Sequence, residues 1–177
     1  MTRRLFLALL LLFSANAWAL TTAQLTTLAA DINAQASLAS ARANKDATLC
    51  ILFYNATASP AWTVWKTNVS VTEVGRAFNG AELAGLTTGN QTRLQTIAQY
   101  SAAGINPSLA DQRAFFDDVF SGAGGTNTRA KLLILWKRLA TAGEKLFSTG
   151  TGSDASPATL VFEGPIRDVD VQQAMGW

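Results

Sequence analysis

The sequence predicts a mainly α-helical fold, a compact multi-helix domain carrying a small two-stranded β element. Three observations lead there. Apolar residues recur near helical spacing at Leu25, Leu28 and Ile32, at Phe115, Phe116, Val119 and Phe120, and at Leu132, Leu135, Trp136, Leu139, Gly143 and Leu146. Ser70-Val71-Thr72-Glu73 is a capping box, in which a hydroxyl and a carboxylate three residues apart satisfy each other's backbone N–H groups at a helix start. Segments 62–69 and 159–163 are strand-like, and a lone strand needs a partner, so these two are expected to pair.

The elements follow in order. Thr21 or Thr22 caps a helix from about Thr22 to Asp31, and a shorter helical stretch covers Gln35–Arg42 before Asn44-Lys45-Asp46 breaks it. Ala47–Tyr54 reads as a third helix, although Ile51-Leu52-Phe53-Tyr54 suits a strand equally, and the small polar run Asn55–Pro60 ends it. Trp62-Thr63-Val64-Trp65 and Val69 make the first strand-like segment. The Ser70 box opens a short helix to about Phe78, closed by Asn79-Gly80, with one more turn over Glu82–Leu86. Thr88 caps Gly89–Ala102, which Gly104 stops. Ser108 caps the helix that carries Phe115 to Phe120. Gly122, Gly124 and Gly125 form a loop, and Asn127–Phe147 is the longest amphipathic helix expected. The polar stretch STGTGSDASPA is a loop, Thr159–Phe162 the second strand, and Asp168 or Asp170 caps a last helical turn through Met175.

Ahead of this body stands MTRRLFLALLLLFSANAWA. Arg3 and Arg4 form a positive start, Leu5–Phe13 an apolar core, and Ala17-Trp18-Ala19 supplies small residues at a cleavage site, which is the layout of a secretory signal peptide. The expected organisation is therefore a leader over 1–19 and one globular domain over 20–177. The apolar core is shorter than the roughly 20 residues a bilayer span needs, so no stable membrane span is expected in the mature domain.

Composition narrows the function. Setting Arg3 and Arg4 aside, the 14 basic residues become twelve against 12 acidic ones, so the body is neutral and lacks the basic stripe of a nucleic-acid binder. The chain has no histidine, which removes Ser-His-Asp and Cys-His catalysis, the common zinc shells and the usual pH sensor. The single cysteine, Cys50, lies in the apolar run LCILFYN and reads as a buried hydrophobe. Asp117-Asp118 is an adjacent carboxylate pair, but neighbours on a helix point about 100° apart. Gly122–Gly125 precedes a helix without the lysine of a phosphate loop directly after it. No catalytic, cofactor-binding or metal site is expected. The candidate interface residues are Trp62, Trp65 and Trp177. Trp62 and Trp65 are three apart, so on a strand they face opposite ways and one lies near the surface. A tryptophan at 177 either docks on its own domain or inserts into a neighbour.

Three blocks, LTTAQLTTLAADI, SPAWTVWKTNVSVTEV and GEKLFSTGTGSDASPATLVFEGPI, resemble a family of small, mostly uncharacterised proteins of tailed bacteriophages and prophages. The pattern F-x-TGTG-x-x-x-x-PATL-x-FEG over Phe147–Gly164 is the most distinctive. The resemblance extends over nearly all of 20–177, and the relatives begin near the position of Leu20. It implies a non-enzymatic virion or morphogenesis protein, assembled in the host cytoplasm through contacts with itself or with other phage structural proteins. The leader supports an alternative, a prophage factor exported to the periplasm or secreted after cleavage at Ala19 and acting at the cell envelope.

Overall fold

A computed structural model describes residues 19–101 and 103–177; the leader and its cleavage motif, up to Trp18, lie outside the described residues. The protein is mainly helical, with small antiparallel β pairings. The chain gathers into two compact units: residues up to Ala58 with Thr141–Phe147 and Phe162–Trp177, and Ser59–Ala140 with Ser148–Val161.

The first unit is built from α1 (Thr22–Ala34), a 3-10 turn (Ala36–Leu38), α2 (Ala39–Asn44), α3 (Ala47–Asn55), α9 (Ala142–Leu146) and α10 (Asp168–Met175). Thr21 starts α1 with a full capping box, its hydroxyl and the Gln24 amide each accepting the other residue's backbone N–H. Asp46 caps α3 by accepting from Leu49 N–H. Between α2 and α3 the chain turns at Lys45 in the left-handed region, φ 51°. The apolar spacing seen in the sequence then does its work: Leu28, Ile32, Cys50, Tyr54, Ile166 and Val171 are all buried in one cluster, with Trp177 packed partly over it.

Polar groups in and around this core are paired. Tyr54 Oη donates to Asp31 at 2.6 Å, and burial first, then this bond, pushes the phenol well above its ordinary pKa. The Asn55 side chain clasps one residue in both directions, donating to Ile166 O at 2.9 Å and accepting from Ile166 N–H at 2.8 Å. Asp170, 1% exposed, starts α10 by accepting from Arg167 N–H at 2.9 Å and from the Arg167 guanidinium at 2.8 and 3.0 Å.

The second unit holds β1 (Thr63–Trp65), α4 (Val71–Ala77), α5 (Gly80–Ala84), α6 (Thr88–Tyr100), α7 (Ala110–Val119), a 3-10 turn (Ala123–Gly125), α8 (Thr126–Leu135), β2 (Lys137–Leu139), β3 (Ser148–Thr149) and β4 (Thr159–Leu160). The Ser70–Glu73 capping box opens α4 as expected, and the Ser70 donors hold the Glu73 carboxyl below its ordinary pKa. Asn79 is not only a stop: its side chain accepts from Ala81 and Glu82 N–H and so caps α5. Thr87, one residue before the expected Thr88, caps α6. At α7 no side chain caps; Asn106 takes the Ser108 N–H and hydroxyl instead.

α5 and α8 hold one another by reciprocal capping. Glu82 accepts from Asn127 N–H and Nδ2, both at 2.9 Å, and from Thr128 N–H at 2.8 Å, while the buried Thr128 hydroxyl accepts from Asn79 N–H at 3.0 Å. Desolvation works against ionisation of Glu82, yet the donors of Asn127 and Thr128 outweigh it and hold the carboxyl down at about 2. Phe116, Phe120, Val119, Leu132 and Trp136 form the core of the helical side, with Phe116 and Trp136 edge-to-face at 5.6 Å.

The two strand-like segments do come together, but with a different partner in the ladder. β1 touches the residue before β4 through a parallel bridge, Trp65 N–H donating to Ala158 O at 3.0 Å and Ala158 N–H to Thr63 O at 2.9 Å. The antiparallel ladder of β1 goes to β2, pairing Thr63 with Leu139 and Trp65 with Lys137. The helix expected over Asn127–Phe147 is therefore corrected. It ends at Leu135, becomes β2, and restarts as α9 at a further capping box, Thr141–Glu144. Pairing with a strand over seventy residues away overrides the local helical period.

Candidate functional site

The candidate interface tryptophans all have partners within their own unit. Trp62 is half-buried; its indole N–H donates to Ser148 Oγ at 2.9 Å, and its ring lies against Gly152, where a Cβ would come within 2.1 Å of the indole. Gly152 is at φ +63°, so glycine is required there both by backbone and by the approach of the ring. The TGTG block is thus architecture: it packs Trp62 and turns the chain toward Ala158. Trp65, also half-buried, carries the Arg113 guanidinium over its ring at 4.2 Å and packs on the helical core. Trp177 follows Gly176, which is left-handed at φ +66°; its N–H donates to Gln172 O at 3.1 Å, and its ring packs on the first unit's core.

The other candidates are equally occupied or dispersed. Cys50 is fully buried, and burial first, then the charge of Asp46, raises its thiol pKa. Asp117 and Asp118 are exposed, and Asp118 pairs with Arg93 at 2.7 Å. Gly125 lies under the Phe120 carbonyl, where a Cβ would clash with backbone, so the glycine loop serves packing. Among the described residues no group of three His, Cys, Asp or Glu is placed to hold a metal, and no helix is long and apolar enough to cross a membrane.

What the structure adds is an exposed apolar pair beside strand β2. Ala140 N–H donates to Trp62 O at 2.9 Å and Lys66 N–H to Trp136 O at 2.8 Å, so residues 136 and 140 bond toward β1. By the alternation of an antiparallel ladder, the backbone groups of Lys137 and Leu139 face away from it, and the Leu139 carbonyl there accepts from Arg138 Nη1 at 3.2 Å. Beside this strand Ile134, near the end of α8, is 73% exposed, and Leu139 is 54% exposed. Both line a shallow depression with Thr63, Lys137, Arg138 and Asp154, whose rim is closed by Lys137 Nζ bonded to Asp154 at 2.7 Å. Exposed apolar side chains grouped in this way mark a surface that another chain can cover. Sequence reading missed it because Leu139 belongs to the apolar stripe of the expected long helix. The signal that reveals it is Thr141-Ala142-Gly143-Glu144, a helix start inside that stripe, which ends the period before Leu139 can be buried by it.

Comparison with protein families, with curated proteins and with solved structures finds no match to this chain.

Proposed function

We propose that this protein is a non-enzymatic structural or accessory component of a tailed-bacteriophage particle or its assembly, working through contacts with itself or with other particle proteins. The observation that carries the reading is the exposed apolar pair of Ile134, near the end of α8, and Leu139, on β2, which offers apolar packing to a partner. The resemblance of the Phe147–Gly164 block to phage proteins supplies the setting. In this reading the block builds the scaffold around Trp62 that keeps β1, and with it β2, in register. The mode of action calls for no cofactor and no nucleic acid.

Mass spectrometry of purified particles tests it: the protein is expected as a component of particles or of assembly intermediates, and its absence from both overturns the reading. An Ile134→Glu/Leu139→Glu double variant is expected to lose incorporation while keeping its melting temperature within about 2 °C, since exposed positions contribute little to stability.

The leader favours a second reading, export to the envelope, because a charged start, an apolar core and small residues before Leu20 form a signal-peptide layout. A native N-terminus at Leu20 in the periplasm, from N-terminal sequencing, is the result that reading expects; a reporter fused after Ala19 that stays in the cytoplasm ends it.

A further inference from the structure

The peptide bond that the leader motif marks lies at the edge of the first unit's core. Ala19 is exposed, but Leu20, the next residue, is 6% exposed and belongs to the buried cluster that holds Leu28, Ile32, Ile166 and Val171. Thr21 follows without slack. Its N–H donates to Gln24 Oε1 at 2.9 Å, and its hydroxyl accepts from Gln24 N–H at 3.3 Å. The chain thus passes from a core side chain through a capping box straight into α1. α10 packs along α1 and completes the same cluster.

A peptidase holds its substrate as an extended segment, with residues on both sides of the scissile bond in its cleft. Cleavage therefore concentrates on exposed, weakly held chain and otherwise waits for the fold to open. Here the residue after the bond is anchored in the core, and the next one is bonded into a helix start. Drawing Leu20 and Thr21 into a cleft pulls an apolar side chain out of the cluster and breaks both cap bonds. The exposure of Ala19 supplies only one side of the bond.

We infer that the Ala19–Leu20 bond is a processing site gated by the fold of the first unit. A signal peptidase, which reads the small residues Ala17 and Ala19, hydrolyses it only while that unit is open. Water adds across the bond, leaving the carboxylate on Ala19 of the released leader and the amine on Leu20. Once α10 is docked on α1, the leader stays attached. Folding and processing compete for one side chain, and the folded protein exists as two forms that do not interconvert, one with the leader and one starting at Leu20. The inference rests on the export reading.

Purified full chain in detergent micelles, mixed with purified signal peptidase, tests it, with intact mass reading the cleavage site and circular dichroism the folded state. Folded wild-type protein is expected to be cleaved after Ala19 at least ~100-fold more slowly than Val171→Asp or Ile32→Asp, each of which puts a charge into the core and keeps the first unit open. Leu20→Ala weakens the anchor and leaves the helices in place; its folded form is expected to be cleaved at least about tenfold faster than the wild type. Equal rates for the wild type and both core variants overturn the gate and leave the export reading standing. An unchanged rate for Leu20→Ala also overturns it, because Leu20 is then not the anchor. A peptide of residues 1–29 carries the motif without the fold. No cleavage of that peptide means that the motif is not a site, and the export reading falls together with the inference. Cleavage of the peptide with both core variants resistant means that something other than the first unit protects the bond, which overturns the inference alone.

Discussion

The first unit and the helical side of the second solve the same packing problem to different degrees. In the first, eleven buried side chains from segments far apart in sequence meet in one cluster, and the polar groups Tyr54 and Asp170 that enter it, with Asn55 at its surface, are bonded to named partners. In the second, Phe116, Phe120 and Trp136 pack well, but a cavity of about 230 Å³ stands beside them, and the Trp136 indole N–H is buried without a hydrogen-bond partner. An unmet buried donor costs about 1–3 kcal/mol, and unfilled space forfeits dispersion contacts. The contrast teaches that the unit assembled from distant segments is filled and its polar groups are bonded, while the stretch of helices in the second unit keeps room.

The largest expected effect sharpens this contrast directly. Leu28→Ala, in the filled core, is expected to cost about 4–5 kcal/mol in urea unfolding, and Leu94→Ala, on the wall of the open cavity, about 2–3 kcal/mol. Equal losses would erase the distinction. Two glycines give the next test. A Cβ at Gly143 would lie 2.8 Å from Ile166 Cγ1 and 3.3 Å from the Tyr54 carbonyl. Gly143→Ala is therefore expected to destabilise by about 1–3 kcal/mol through overpacking.

A pH series probes the second unit's own strong point. The Glu82 carboxyl is lowered from an ordinary 4.5 to about 2 by the capped end of α8. Its folded pKa is below its unfolded one, so its contribution is fully present above pH 4.5 and is lost as pH falls toward 2. Glu82→Gln is expected to flatten the acid limb of the stability curve between those values. An unchanged limb would mean that Glu82 is not the group that titrates there. The smallest effect has the opposite sign. Gly75→Ala is expected to raise stability by about 0.5–1 kcal/mol, as a helix position freed of glycine with no neighbour to meet. A loss there would show that the space over Gly75 is already taken up.

How far the sequence anticipates the structure depends on whether the deciding interaction is local. Capping is local, and Thr21, Ser70 and the break at Asn44–Asp46 are legible because each satisfies backbone groups within three or four residues. Lys137-Arg138-Leu139 becomes a strand because of β1, far upstream, and nothing in those three residues favours a strand. The Glu82–Asn127 cap is likewise invisible in one dimension, since its partners are 45 residues apart. Trp62 and Trp65 stand out in the sequence as surface aromatics, and the structure ties both to polar partners, Ser148 and Arg113. The exposed pair of Ile134 and Leu139 was hidden because Leu139 fits the helical stripe of the expected long helix equally well.

The chain order of the first unit has a consequence for how the protein is made. Its helices α1 to α3 leave the ribosome early, but Ile166 and Val171, which complete their core, are synthesised more than a hundred residues later. Until then Leu28, Ile32 and Tyr54 have no lid, and they must wait while the whole of Ser59–Ala140 is translated. At about 5–20 residues per second, that interval is several seconds or more. A ribosome that stalls anywhere before α10 thus releases a polypeptide with an exposed apolar half, recognisable to chaperones and proteases, and only a chain read through to that helix can hide it.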